Sequence, residues 1–128
     1  MRLLLDTHIA LWAITDSPAL SAEARRYILA PKNEVYVSAA SIWEISIKHS
    51  LGRGNMPVSG SEAAGFFAQA GYLTLDISTD HAAFVEKLPA LHADPFDRML
   101  VAQALYEPMH LLTHDKIIAA YSDTVILV

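Results

Sequence analysis

Leu3-Leu4-Leu5-Asp6-Thr7-His8, continuing as Ile9-Ala10-Leu11-Trp12-Ala13-Ile14, is an apolar run that stops on an acid and passes into a second apolar stretch. The first run does not alternate with polar residues, so it reads as a strand buried on both faces. Thr7 to Ile14 reads as a short helix with Asp6 at its start. A buried strand feeding directly into a helix is the first half of a βαβ unit, and the same punctuation returns along the chain.

Ser21 caps a helix running through Glu23, Arg25, Arg26, Tyr27 and Ile28 until Pro31, after which Lys32-Asn33-Glu34 turns into the strand Val35-Tyr36-Val37. Ser38 or Ser41 starts the next helix, which carries Ile42, Trp43, Ile45 and Leu51 toward packing surfaces and ends at Gly52-Arg53-Gly54. Ser61 to Ala70 reads as a helix closed by Gly71, Tyr72 to Ile77 as a strand, and Thr79 to Leu88 as a helix ended by Pro89. Asp94-Pro95 opens a strongly apolar helix that stops near Pro108, because proline is favoured at the first helical position after a capping residue. His110 to Thr113 gives a strand, Asp115 to Tyr121 a short helix and Val125 to Val128 a last strand. The expected fold is α/β: one domain over residues 1–128, three layers, about five mostly parallel strands with helices on both faces.

The composition narrows the function classes. At 128 residues the chain is long enough to bury a core without disulfides, and it has no cysteine, which excludes thiolate zinc sites and cysteine nucleophiles and suits a reducing cytosol. The apolar content of 53% has two readings, a covered two-sided sheet and a surface that meets a partner. No signal-like segment and no run approaching the ~20 apolar residues of a membrane span is present, so a soluble cytoplasmic protein is expected. The net charge of −5 argues against generic coating of nucleic acid while leaving room for an acidic catalytic site. No G-x-S-x-G elbow, Walker loop or G-x-G-x-x-G run appears, and the six histidines show no zinc spacing.

Four acids, Asp6, Glu44, Asp97 and Asp115, each fall just after a strand or early in the helix that follows. In an open parallel sheet these junctions line up along one edge, where ligands bind. Carboxylates gathered there repel one another unless a cation neutralises them, and hard oxygen ligands suit Mg²⁺ or Mn²⁺. Each acid also has an ordinary structural reading. Asp6 and Asp115 suit helix caps, and Ser41-Ile42-Trp43-Glu44 has capping-box spacing with Lys48 one turn on for an exposed ion pair. In His92-Ala93-Asp94-Pro95-Phe96-Asp97-Arg98, Asp94 reads as the cap and Asp97 as the ligand, with Asp94 a further candidate. Arg25, Arg26, Lys48, His49, Arg53, Arg98 and Lys116 are candidate substrate contacts or plain surface charge, Arg98 reading equally as an ion-pair partner of a neighbouring acid. Trp12, Tyr27, Trp43 and Phe96 read more readily as core than as stacking residues.

Taken together, Leu3-Leu4-Leu5-Asp6-Thr7-His8, Ser38-Ala39-Ala40-Ser41-Ile42-Trp43-Glu44-Ile45, Asp94-Pro95-Phe96-Asp97-Arg98-Met99-Leu100-Val101-Ala102-Gln103-Ala104 and Leu111-Leu112-Thr113-His114-Asp115 resemble the PIN-domain ribonucleases of the VapC-type toxin branch. The resemblance spans nearly the whole chain. It implies a Rossmann-like PIN fold, Mg²⁺- or Mn²⁺-dependent endonuclease action on RNA, homodimerisation and neutralisation by a cognate antitoxin. Carried over by position, the family's acidic quartet falls on Asp6, Glu44, Asp97 and Asp115, and its small hydroxyl on Thr113. Two rivals stand beside it. A phosphatase with Asp6 as covalent nucleophile would need a second Asp where His8 stands. A noncatalytic protein- or RNA-interaction module of the same fold would use the acids only as caps.

Overall fold

The computed structural model describes residues 1–128. Its elements are β1 (Arg2–Leu5), α1 (Thr7–Ile14), α2 (Ala22–Leu29), β2 (Glu34–Ser38), α3 (Ala39–Ser50), α4 (Gly60–Gln69), β3 (Leu73–Leu75), α5 (Thr79–Phe84), α6 (Pro95–Tyr106), β4 (His110–Thr113), α7 (Lys116–Ala119) and β5 (Val125–Leu127). The five strands form one sheet in the order β3-β2-β1-β4-β5, and every pairing is parallel.

Leu3, Leu4 and Leu5 are fully buried, which is why β1 reads as an unbroken apolar run. Side chains alternate along a strand, so Leu3 and Leu5 pack with Ile9, Ala24, Ile45 and Ala63 on one face. Leu4 packs with Leu100, Val101, Leu111 and Ile118 on the other. Full burial of a leucine stabilises by about 1.5–3 kcal/mol, and β1, touched from both faces, anchors both halves of the core.

Strands β2 and β3 extend the sheet to one side of β1, and β4 and β5 to the other. The order therefore reverses between β1 and β4, and a crevice opens at their carboxyl ends. Backbone pairing continues one step past β1, the N–H of Asp6 donating to the carbonyl of Leu112 at 3.0 Å. That bond aims Asp6 into the crevice.

Several local expectations change. Ser38, not Ser41, caps α3 by accepting from the Ala40 N–H, so the capping box expected at Ser41–Glu44 does not form. Trp43 and Leu51 are mostly exposed rather than packed. Edge strand β3 covers only Leu73–Leu75, because its single neighbour β2 pairs with it over three residues. The helix expected over Thr79–Leu88 ends at Phe84 and tightens into one 3₁₀ turn, Val85–Lys87, ahead of Pro89. Helices α3 and α4 meet so closely that a Cβ on Gly60 would fall 1.7 Å from Ser46 Oγ.

Candidate active site at the carboxyl edge of the sheet

Asp6 follows β1 and is 4% exposed. One carboxylate oxygen accepts from the Ile9 N–H at 3.0 Å, capping α1, and the other accepts from the Thr113 hydroxyl. Burial pushes its carboxyl above the usual range, against the pull of the hydrogen bonds from Ile9 and Thr113 and of nearby His8. Thr113, the last residue of β4, is fully buried. Its oxygen also accepts from the Asp115 N–H at 3.1 Å, so one hydroxyl ties the β1 and β4 junctions together. Asp115 caps α7 through Oδ1, at 2.7 Å from Ile117 N.

Asp97 stands in the first turn of α6, where Asp94 caps with Oδ1, accepting from Phe96 N at 2.8 Å and Asp97 N at 3.1 Å. Burial, first, and then the negative charges of Asp94, Asp6 and Glu44 push Asp97 up to about 7, with His92 opposing. Glu44, in α3, is 3% exposed. Its Oε2 lies 2.6 Å from Lys48 Nζ, one turn along the helix, so the expected pair forms around a buried rather than an exposed carboxylate. Oε1 is buried with no partner at all. Thr7 fixes the approach of α1 to α3 by donating to Ser41 Oγ at 2.8 Å.

The fold thus sets Asp6, Glu44 and Asp94 close enough to Asp97 to raise its proton affinity, and joins Asp115 to it through His92. The His92 Nε2 lies 3.1 Å from Asp97 Oδ2 and 3.3 Å from Asp115 Oδ2, and ligand atoms of these three residues lie within 4.8 Å of one another. Its Nδ1 accepts from the Asp94 N–H at 3.2 Å, which leaves the ring proton on Nε2, facing the carboxylates. In this tautomer His92 is a hydrogen-bond donor between two acids, and the carboxylate oxygens are the atoms that could hold a cation. The sequence shows only the tight pairing of His92 with an acid in His92-x-Asp94, which reads as an ordinary hydrogen bond; the link to Asp97 and Asp115 is not visible there.

Arg98 departs from its expected role. Its guanidinium donates to the carbonyls of Pro89 at 3.0 Å and Val85 at 3.2 Å and to Tyr121 Oη at 3.2 Å. Tyr121 Oη also accepts from the His92 N–H at 2.8 Å. Arg98 therefore secures the segment before α6 and is no ion-pair partner of Asp97. Arg25 pairs with Asp16 at 3.0 Å. Among the aromatic residues, Trp43 meets Phe96 edge-on at 5.1 Å and stays 58% exposed, outside the core.

No helix is long and apolar enough to cross a membrane. No curated protein matches the chain in sequence. Among solved structures, VapBC2 from Rickettsia felis bound to a DNA fragment from its promoter is similar, with a TM-score of 0.72 and 19% identity over 100% of this chain and 98% of that one. VapBC-1 from nontypeable Haemophilus influenzae is similar at a TM-score of 0.64 and 18% identity, over 100% and 97% of the two chains. The family model of the PIN domain matches residues 3–123, from the first buried leucine of β1 past the last acid of the crevice, and the chain belongs to the PIN domain family.

Proposed function

We propose that this PIN domain is a Mg²⁺- or Mn²⁺-dependent endoribonuclease, the toxin of an intracellular toxin–antitoxin pair. The observation that carries the reading is the crowding around Asp97: a half-buried carboxyl pushed up to about 7 by burial first and then by the charges of Asp94, Asp6 and Glu44, beside a Glu44 oxygen buried with no hydrogen-bond partner. A buried carboxylate oxygen without a partner is costly even where the other oxygen is paired, as Glu44 is with Lys48, and an oxygen-rich donor set matches a hard divalent cation. The residues fit such an ion. Asp6 and Asp97 would hold it, with Glu44 and Asp115 completing the set or binding a second.

When bound, a divalent ion supplies an acidified water and charge stabilisation at the phosphate and leaving oxygen. The chain's own groups do the rest. Thr113 holds Asp6 at a fixed angle, His92 links Asp97 and Asp115 through a shared N–H, and Lys48 orients Glu44 by its ion pair. By the family resemblance, the products carry 5′-phosphate and 3′-hydroxyl ends.

The partner belongs to the same proposal. A largely apolar cavity of about 400 Å³, lined by residues including Ala40, Trp43, Val85, Phe96 and Met99, lies against the helix that carries Asp97. An antitoxin segment seated there would cover Trp43 and block the crevice, and the two solved structures described above are VapBC structures. Homodimerisation follows from the resemblance alone and is checked by sedimentation across concentration. The test of the activity is cleavage of a mixed cellular RNA pool with Mg²⁺ or Mn²⁺, beside EDTA and Asp97→Asn controls. Cuts lost in both controls are expected; intact RNA from folded, antitoxin-free protein would sink the nuclease reading in favour of an interaction module.

A further inference from the structure

A second cavity, about 340 Å³, is lined by His8, Leu11, Trp12, Thr15, Lys48 and Asn55 among others. Small-molecule sites begin near about 300 Å³, so this one takes a single planar group rather than a folded element. Its lining is mixed: an indole, an imidazole, two hydroxyls, an amide and one ammonium. Trp12 centres a small aromatic group, with His8 at 5.9 Å and His114 edge-on at 5.6 Å. The far wall is the turn after α3, where Gly54 and Asn55 take left-handed backbone angles of +65° and +47° and leave the Asn55 side chain exposed.

Two of the lining residues also belong to the acid cluster. His8 stands two residues after Asp6 and close enough to act on its charge, and Lys48 holds Glu44 at 2.6 Å. Cavity and crevice therefore share a wall made of the Lys48 ammonium and the His8 imidazole, both able to donate a hydrogen bond to an anion. A ligand spanning that wall needs an anion at one end and a flat, hydrogen-bonding group at the other. Successive parts of one nucleotide meet that description. The base must be unpaired, because stacking on a side chain requires it to leave its duplex.

We propose that this cavity receives one unpaired nucleobase of the RNA strand, that of the nucleotide adjoining the phosphate presented to the acids. Trp12 is its stacking partner, Asn55 and Thr15 address its edge, and His8 and Lys48 flank the phosphate between cavity and crevice. The inference rests on the nuclease reading and gives that reading a source of sequence preference.

The probes are the four nucleoside 5′-monophosphates, titrated into the full chain while the Trp12 indole N–H resonance is followed, Trp12→Phe identifying the signal. A saturable shift with at least one nucleotide, weakened by Asn55→Gly, is expected. Asn55→Gly keeps the exposed turn, since glycine accepts the same backbone angle. In the second arm, a cleaved RNA is remade with an abasic site beside the cut. Loss of the stacked base should raise KM roughly tenfold with little change in kcat, and Asn55→Gly should erase part of the difference between bases. Cleavage that ignores both the abasic site and Asn55→Gly would overturn the proposal while leaving the nuclease intact. A saturable shift in a protein that cuts no RNA would keep a nucleobase site and overturn its place beside a scissile phosphate. No shift with any nucleotide, together with unchanged KM, would remove it altogether.

Discussion

The two halves of the acid cluster are built in opposite ways. On the β1/β4 side, Asp6, Thr113 and Asp115 form a closed set in which each carboxylate caps a helix and one buried hydroxyl serves both junctions. On the α3/α6 side, Glu44 has an orphaned oxygen and Asp97 is crowded by other acids. The first half is rigid because its polar groups are satisfied; the second is unsatisfied and gains most from a cation. On the proposed reading one side fixes geometry and the other supplies the driving force for cation binding, so substitutions on the two sides should separate stability from activity.

The largest effect is expected at Asp97. Asp97→Asn keeps the shape and removes a ligand charge, and losing one charged group of this kind lowers turnover by about 10²–10³-fold or more. The same change relieves the repulsion from Asp94, Asp6 and Glu44, so metal-free Asp97→Asn should melt above the wild type. RNA cleavage read beside thermal melts in EDTA checks both. A variant that is inactive and also less stable would place Asp97 in the rigid half and erase the contrast.

Thr113→Val comes next and probes the satisfied half. It strands an Asp6 oxygen and the Asp115 N–H, a loss of about 1–3 kcal/mol for buried polar groups left unpaired, and loosened support of a ligand lowers metal affinity or activity about 10–100-fold. Thr113→Ser should restore most of both, measured by urea midpoints and by Mn²⁺ titration.

A smaller effect comes from pH. Asp97 has an ordinary value of 3.8 and about 7 in the folded, metal-free protein, and Asp6 is shifted the same way. The folded state therefore binds more protons than the unfolded one between these values, and stability falls as pH rises from about 4 to about 7. Saturating Mg²⁺ displaces those protons and should flatten the decline, as should Asp97→Asn. Denaturant midpoints across this range, in EDTA and in Mg²⁺, decide it; a metal-free protein that gains stability over the window would contradict the crowding of charge.

Much of the fold and the placing of the four acids at its junctions were legible in the sequence, and the part that was not has a definite cause. The unbroken apolar runs at Leu3–Leu5 and Leu111–Leu112 announce strands buried on both faces, and each is followed by an acid because the crevice lies where those strands end. Ser21 and Asp94-Pro95 marked helix starts because capping is local chemistry. Local chemistry also misled: Ser41 has capping-box spacing, but the chain already turns into α3 at Ser38, one turn earlier. His92 reads from the sequence only as a histidine hydrogen-bonded near Asp94, because its link to Asp115 depends on a residue 23 positions away that β4 delivers. Arg98 was misplaced for the same reason, its partners being carbonyls of the preceding loop and Tyr121.

Arg98 supplies the smallest and most discriminating case. It is next to Asp97 in sequence, yet its donors go to Pro89, Val85 and Tyr121, and the Tyr121 hydroxyl in turn receives the His92 N–H. If it only secures that loop, Arg98→Ala should lower stability by about 1–3 kcal/mol through stranded carbonyls and lower turnover by a few-fold, with the Mn²⁺ affinity of the acid cluster nearly unchanged. An ion-pair role beside Asp97 predicts the reverse: removing the cation would raise the carboxyl's proton affinity further and shift the pH at which metal binds. Mn²⁺ titrations of Arg98→Ala at pH 6 and 8 separate the two, because a loop tie alters fold stability at both values equally whereas a charge partner changes metal binding most at the lower one.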